Sequence, residues 1–178
     1  MPANYRAGII GHTGRGNYGH GLDTAYQGLP NVDVVAVADP DAEGRAAAAQ
    51  RTGASHSFAD YHQMLSQMEL DLVNVCPRWV DQHAEMVIAC AEAGVKGIFS
   101  EKPFARTLAE ADAMLAACER HNTRLAVAHR RANPYELHAR QLIDNGLIGD
   151  VQMIRRHGKA DRRAGAMDLI VLGTHLLD

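Results

Sequence analysis

The chain has 178 residues, of which 47% are apolar and 22% are charged, a composition typical of a globular protein. Its 18 basic and 21 acidic residues give a net charge of −3, which argues against nucleic acid as the main partner. No apolar run is long enough for a membrane span, the start lacks a signal-peptide pattern, and three widely spaced cysteines favour reduced thiols in a cytoplasmic protein.

A glycine-rich stretch, GIIGHTGRGNYGHGLD, occupies residues 8–23 and overlaps the end of a predicted strand over 5–10. We expect Gly11 to make the tight turn after this strand. The apolar stripe that begins at Tyr18 predicts a helix that starts there, with Asn17 as its N-cap. Because backbone N–H groups at a helix start favour an anion, the stretch is a candidate diphosphate loop. The alternative is a glycine-rich surface turn.

The stretch contains a literal G-x-G-x-x-G motif at Gly14, Gly16 and Gly19. This motif matches the predicted loop only in part, because its last glycine falls inside the predicted helix. There, Gly19 is expected to permit close packing of the helix on a strand. The residues expected to form this loop, and so to bind the diphosphate of a cofactor, are Gly11, Thr13, Gly14, Arg15 and Gly16.

Short apolar runs alternate along the chain with segments whose apolar residues recur every three or four positions. This alternation predicts an α/β protein with a doubly wound parallel sheet and helices on both faces. The predicted strands cover 5–10, 32–39, 71–76, 95–100 and 124–129. The predicted helices cover 41–51, 60–68, 81–93 and 107–121, the last with Thr107 as its N-cap.

An acidic residue, Asp39, stands at the carboxyl end of the second predicted strand, where an acid can accept hydrogen bonds from the ribose diol of adenosine. A carboxylate there repels a 2′-phosphate, which favours NAD over NADP. Arg15 and Arg45 could soften this preference. The alternative role for Asp39 is a helix N-cap before Pro40.

The pattern changes after about residue 130. The sequence NPYELHARQLIDNGLIGD predicts a helix that ends at Asn145-Gly146, and the alternation in 151–158 predicts a half-solvated strand of an antiparallel layer. We therefore expect a dinucleotide-binding domain over 1–130 and the beginning of a second, α+β domain over 131–178. We interpret the chain as truncated inside a helix, and we expect it to turn over little or no substrate alone.

Several segments carry a resemblance to a known family, and SEKPFARTLAEADAML at 100–115 is the most specific. The others are the glycine-rich loop at 8–20, VADPD at 37–41, FADYHQML at 58–65, CPRWVDQHAEMVIACAEAGVKGIFSEKP at 76–103, AHRRANP at 128–134, GLIGDVQ at 146–152 and LGTHLLD at 172–178. On these segments the chain resembles the Gfo/Idh/MocA family of oxidoreductases over essentially its whole length. The resemblance implies a Rossmann NAD-binding fold over 1–130, before a larger antiparallel sheet domain for substrate binding and oligomerisation, of which 131–178 would be the start.

The resemblance also implies roles for particular residues. Lys102 would contact both the nicotinamide cofactor and the substrate hydroxyl, and Pro103 would follow a cis peptide bond. His175 would be the histidine of a D-x-x-x-H pair, although Val171 stands where the family has aspartate and Asp168 is three residues too early. The cofactor-binding residues that the resemblance adds are Cys76, Pro77, His83, Glu101, Lys102 and Arg131.

Oxidation of an alcohol by NAD requires a base for the hydroxyl proton and a charge that stabilises the alkoxide. His175 suits the base and Lys102 suits the stabiliser, so these are the expected catalytic residues. The alternatives are a solvated lysine paired with Glu101 and a core or capping histidine. The other histidines lack metal-ligand spacing, so we expect no metal site.

We therefore expect an NAD-dependent oxidoreductase that oxidises a secondary alcohol of a sugar, a polyol or a related small molecule. The full-length protein is expected to be a homo-oligomer. Two alternatives stay open at this point: an NAD-binding pseudoenzyme or sensor that transfers no hydride to substrate, and an NAD-assisted glycoside hydrolase.

Overall fold

The computed structural model describes residues 4–129 and 134–155 of the chain. The chain divides into two compact units, Met1–Ala128 and His129–Asp178. The boundary lies close to residue 130, although the functional assignment of the two parts stays a prediction.

A six-stranded, entirely parallel sheet forms the centre of the first unit, with the strand order β3-β2-β1-β4-β5-β6. This order confirms the predicted doubly wound α/β fold, and it reverses direction between β1 and β4. The strands are β1 (Tyr5–Ile10), β2 (Val32–Ala38), β3 (His56–Phe58), β4 (Leu72–Val75), β5 (Gly97–Ser100) and β6 (Arg124–Val127). The helices of this unit are α1 (Ala42–Thr52), α2 (Tyr61–Gln67), α3 (His83–Glu92) and α4 (Leu108–Arg120).

The sheet buries both of its faces, as the near-continuous apolar strands require. One face packs a large cluster against α2, α3 and α4, with Met64, Met86 and Met114 fully or almost fully buried. The other face packs a smaller cluster in which Tyr18 and Leu22 take part. Thr107 caps α4 as predicted, because its hydroxyl accepts a hydrogen bond from the Glu110 N–H at 3.1 Å.

The edge strand β3 was not predicted from the sequence. It has only three residues, which pair in parallel with Ala36–Ala38 of β2. A segment this short, with the polar residues His56 and Ser57 on an exposed edge, carries too little alternation or apolar content to be recognised.

The predicted helix from Tyr18 is wrong. Residues 11–31 contain turns and a single three-residue 3-10 segment, Leu22–Thr24, but no α-helix. The backbone at Gly19 and Gly21 has φ of 63° and 83°, and left-handed residues two positions apart interrupt an α-helix. Asn17 has φ of 53° and is therefore not an N-cap, which needs an extended backbone.

A buried asparagine holds this turn segment against the sheet. Asn74 of β4 is fully buried, donates from its side-chain amide to Leu22 O at 2.7 Å and accepts from the Tyr26 hydroxyl at 2.6 Å. Tyr18 and Leu22 thus reach the core without a helix, because side-chain hydrogen bonds replace part of the missing backbone ladder.

In the second unit, the predicted helix is confirmed as α5 (Pro134–Asp144), followed by a turn in which Gly146 has φ of 74°. The strand predicted over 151–158 is wrong for 151–155, which form no strand, and 156–158 lie outside the described residues. No described strand lies beside residues 151–155 to supply ladder hydrogen bonds, and an unpaired strand is at best marginally stable.

We expect Asn74→Ala to lower the free energy of unfolding by about 1–3 kcal/mol for the buried Leu22 carbonyl that it leaves unsatisfied, and by less for the half-buried Tyr26 hydroxyl. Urea unfolding measures this change. Tyr26→Phe should cost less, and the double variant should cost less than the sum of the two single variants because one hydrogen bond is shared. Gln63→Ala, on the exposed side of α2, is the control and should stay within about 0.5 kcal/mol of the wild type. Additive effects of Asn74 and Tyr26 would contradict the shared bond.

Candidate functional site

The glycine-rich hairpin, defined here as residues 12–17, follows β1 at the carboxyl edge of the sheet. His12 and Asn17 close it through two backbone hydrogen bonds, at 3.2 Å and 2.9 Å. Gly14 and Gly16 have φ of 84° and 95°, which only glycine adopts without strain. The segment is therefore a small hairpin and not the loop of a helix start.

Gly11 does not make the predicted tight turn, since its N–H continues the ladder of the sheet by donating to Ala38 O at 2.8 Å. Position 11 has no room for a side chain, because a Cβ there would lie 2.2 Å from the ring of Tyr18. The ring of Tyr18 can pack on the end of β1 because position 11 has no side chain. Burial raises the pKa of the Tyr18 phenol well above its usual range, so this ring stays neutral.

Asp39 ties the hairpin to the end of β2. Its fully buried carboxylate accepts hydrogen bonds from the N–H and the hydroxyl of Thr13, at 3.0 Å and 2.8 Å, and from the Asp41 N–H at 2.9 Å. The Arg45 guanidinium contacts the carbonyl oxygen of Asp39 at 2.6 Å and not its carboxylate. The N-cap of α1 is Asp41, so the alternative role of Asp39 as that cap is wrong.

Glu101 ties the other end of the glycine-rich segment to the end of β5. Its carboxylate is 1% exposed and accepts from the backbone N–H of His20 at 3.1 Å and from the imidazole of the same residue. The second carboxylate oxygen accepts from the Lys102 N–H at 2.7 Å. A Cβ on Gly19 would lie 2.5 Å from Cys76 O, so the predicted close packing is present, although on a turn and not on a helix.

Lys102 follows β5 and is only 7% exposed, and the peptide bond between it and Pro103 is cis, as the resemblance implied. Burial lowers the pKa of its ammonium, the neighbouring charge of Arg78 lowers it further, and the carboxylate of Glu101 opposes both effects. A lysine in this setting can carry a charge that responds to its surroundings, which suits a group that meets a developing alkoxide.

Cys76, Pro77 and His83, the residues predicted around the β4–α3 connection, make contacts that hold the loops of this edge in place. Cys76 is fully buried, and burial raises the pKa of its thiol well above the usual value, so it is not a reactive thiolate. His83 is also buried, with Nδ1 lying 2.9 Å from Pro103 O and Nε2 lying 2.6 Å from Pro77 O. The imidazole thereby links the loop after β4 to the loop after β5.

Arg15, at the tip of the hairpin, forms an ion pair with Asp81, and its guanidinium lies 5.2 Å from the ring centre of Trp79. One carboxylate oxygen of Asp81 is buried without a hydrogen-bond partner in the described part of the chain.

Two residues of this edge were missed in the sequence. His20 was considered only as a possible metal ligand, and its link to Glu101 spans 81 positions. Arg78 directly follows the predicted strand end Cys76-Pro77, which is the signal that could have found it. It lies beside the hairpin, since its N–H donates to Gly16 O at 3.3 Å.

Two cavities flank the hairpin, of about 260 and 490 Å³. The smaller one lies between the ends of β1 and β2 and is lined by Gly11, Asp39, Asp60, Tyr61 and Met86, among others. The larger one is lined by Thr13, Asn17, Gly19, Arg51 and Arg78, among others, and reaches the size of small-molecule sites, roughly 300–1,000 Å³.

Arg131 and His175, with Asp168 and Val171, lie outside the described residues, so their predicted roles stay predictions. Within residues 4–129 and 134–155, no group of three His, Cys, Asp or Glu side chains could hold a metal ion. None of the described helices is long and apolar enough to cross a bilayer.

Several known proteins are similar to this chain in sequence or in structure. The chain is 40% identical to D-apiose dehydrogenase of Paraburkholderia graminis over 103 residues, 58% of this chain and 27% of that protein. It is 37% identical to levoglucosan dehydrogenase of Pseudarthrobacter phenanthrenivorans over 129 residues, 71% of this chain and 32% of that protein.

Among solved structures, the WlbA dehydrogenase of Bordetella pertussis, in complex with NADH and UDP-GlcNAcA, matches with a TM-score of 0.68 and 27% identity, over 82% of this chain and 43% of that one. The chain thus spans less than half the length of each of these three proteins. The Gfo/Idh/MocA model, described as an oxidoreductase family with an NAD-binding Rossmann fold, matches residues 5–129. The chain therefore belongs to the Gfo/Idh/MocA family of oxidoreductases.

Proposed function

We propose that the protein is an NAD-dependent oxidoreductase that oxidises a secondary alcohol of a sugar, a polyol or a related small molecule. One observation carries this proposal: a single edge of the sheet presents Asp39 after β2, the glycine-rich hairpin after β1, and Lys102 after β5. Ligands of doubly wound sheets bind outside the carboxyl ends of the strands, at the point where the strand order reverses. The printed names of the relatives, D-apiose and levoglucosan dehydrogenase, support the class of substrate.

The residues of this edge fit a dinucleotide. The cavity lined by Asp39 and Tyr61 offers a place for adenine at the end of β2. We assign binding of the cofactor to the residues expected from the sequence, with Glu101, Cys76, Pro77 and His83 acting chiefly by holding the loops in place.

The charge at Asp39 favours NAD over NADP. Its carboxylate is satisfied by neutral donors, and the nearest guanidinium, that of Arg45, contacts the carbonyl oxygen instead. A 2′-phosphate near this carboxylate would meet an unneutralised negative charge, whereas the ribose diol of NAD is neutral.

Bound at this edge, NAD would supply the acceptor for a hydride from the substrate carbon. The chain's own contribution is the Lys102 ammonium, which stabilises the alkoxide as charge develops on the substrate oxygen. We assign acceptance of the hydroxyl proton to His175, whose residue type titrates near neutral pH. Val171 in the position of the family aspartate leaves this histidine without its usual carboxylate partner.

The remaining proposals concern the whole protein. We assign residues 1–130 to dinucleotide binding and 131–178 to the start of a substrate and oligomerisation domain, in a homo-oligomer. The free, buried thiols of Cys76, Cys90 and Cys118 support a reducing compartment such as the cytoplasm. The names of the relatives, all dehydrogenases, do not favour a sensor or an NAD-assisted glycoside hydrolase.

We expect the protein to bind NAD about tenfold or more tightly than NADP, since a carboxylate facing a phosphate at about 4 Å costs roughly 1–4 kcal/mol. Asp39→Asn keeps the shape of the side chain but removes its charge, so the ratio of the two dissociation constants should fall towards one. Calorimetric titration measures both constants. Asp33→Asn, at the exposed amino end of the same strand, is the control and should keep the wild-type ratio. A wild-type preference for NADP would contradict the assignment of Asp39.

In the full-length protein, we expect Lys102→Ala to lower kcat about 10²–10³-fold and to change the dissociation constant of NAD little. The rate of NAD reduction at 340 nm, with a panel of sugars and polyols, measures kcat. Because the pKa of Lys102 is lowered, its charge is lost at a lower pH than that of an ordinary lysine. The wild-type kcat should therefore fall on the alkaline side, and Lys102→Arg should move this fall to higher pH.

Lys96→Ala is the control for this series, because Lys96 precedes the other end of β5 and is exposed. It should retain the wild-type kcat and pH profile. Unchanged turnover in Lys102→Ala would show that the lysine has no part in the reaction. A loss confined to NAD affinity would make it a cofactor-binding residue only.

A further inference from the structure

The glycine-rich hairpin lacks the usual source of positive charge for a diphosphate. In a dinucleotide-binding fold this charge comes from the N–H groups and the dipole at the start of the helix after β1. Residues 11–31 of this chain form no α-helix, so neither contribution is available from that segment.

The backbone of the hairpin also has few donors left. The amide N–H groups of Thr13, Gly14 and Arg15 donate to Asp39, to the side chain of Asn17 and to His12 O. Between residues 13 and 19, only the amides of Gly16 and Tyr18 lack a protein acceptor within the part of the chain described. Two amides alone are a weak site for a group with two negative charges.

Resting on the proposed function, we propose that Arg78 is the residue that binds the diphosphate of the dinucleotide, in place of the missing helix start. Arg78 lies in the loop after β4, and the hairpin follows β1, so the two flank the reversal point of the sheet. They touch: the Arg78 N–H donates to Gly16 O, and a Cβ on Gly16 would lie 2.3 Å from the Arg78 nitrogen. Arg78 lines the larger cavity together with Thr13 and Gly19.

The charge of Arg78 is available for a ligand. Its side chain is exposed, and a guanidinium can bind phosphate oxygens through two parallel hydrogen bonds. In residues 4–129 and 134–155, the arginine ion pairs are Arg15–Asp81, Arg51–Asp23 and Arg106–Glu110, and none of them includes Arg78.

Arg78 also lies on the path that a dinucleotide would follow. In the sheet order, β1 and β4 lie between β2 and β5, and the backbone of Arg78 contacts the hairpin after β1. A cofactor that extended from Asp39 to Lys102 would therefore pass both the hairpin and the loop of Arg78.

The test compares ADP-ribose, which contains the diphosphate, with adenosine, which does not. We expect Arg78→Ala to weaken binding of ADP-ribose about tenfold or more and to leave adenosine binding unchanged. Arg78→Lys, which keeps the charge but not the planar fork, should recover part of the loss. Added salt should weaken ADP-ribose binding more in the wild type than in Arg78→Ala. Arg120→Ala, at the far end of α4, is the matched control and should bind both ligands as the wild type does.

Unchanged binding of ADP-ribose in Arg78→Ala would overturn the proposal. An equal loss for ADP-ribose and adenosine would also overturn it, because Arg78 would then act through the fold of the loop. A wild-type protein that binds neither NAD nor ADP-ribose would contradict the proposed function itself. A wild-type protein that binds both ligands, with an Arg78 variant that binds them equally well, would overturn only the role of Arg78.

Discussion

Two buried carboxylates hold the glycine-rich segment against the carboxyl edge of the sheet, and the candidate site depends on them. Asp39 holds Thr13 near the start of the segment, and Glu101 holds His20 near its end. Hydrogen bonds to a charged group contribute roughly 1.5–3 kcal/mol each, and a buried carboxylate without donors is costly. Because the glycines between these anchors cannot hold a helix, the anchors decide where the hairpin lies.

Charges of both signs stand along this edge. Asp39 after β2 has only neutral donors, Glu101 and Lys102 stand together after β5, and Arg78 stands after β4. An anion bound beside Arg78 would offset the repulsion that helps to lower the pKa of Lys102. Occupancy by a diphosphate would therefore favour the charged form of the lysine that the proposed reaction needs.

Local patterns in the sequence predicted most of the fold. Buried parallel strands are continuous apolar runs, and caps such as Thr107 are local, so both can be recognised in a few residues. The helix predicted from Tyr18 does not form, although Tyr18 and Leu22 of its apolar stripe are buried, because the left-handed glycines prevent the helical backbone. The side-chain ties of the site could not be predicted, since His20 and Glu101 are 81 positions apart and nothing local marks them as partners.

Hydrogen exchange of the protein with and without NAD tests most directly whether the dinucleotide lies across this edge. NAD is expected to slow exchange in peptides that cover residues 11–20 and 76–82, which contain the hairpin and the loop of Arg78, because bound ligand covers and orders them. Peptides at the opposite edge, over 92–96 and 119–124, are expected to exchange at unchanged rates. Protection that is absent from the first two peptides, or equal at both edges, would contradict the account.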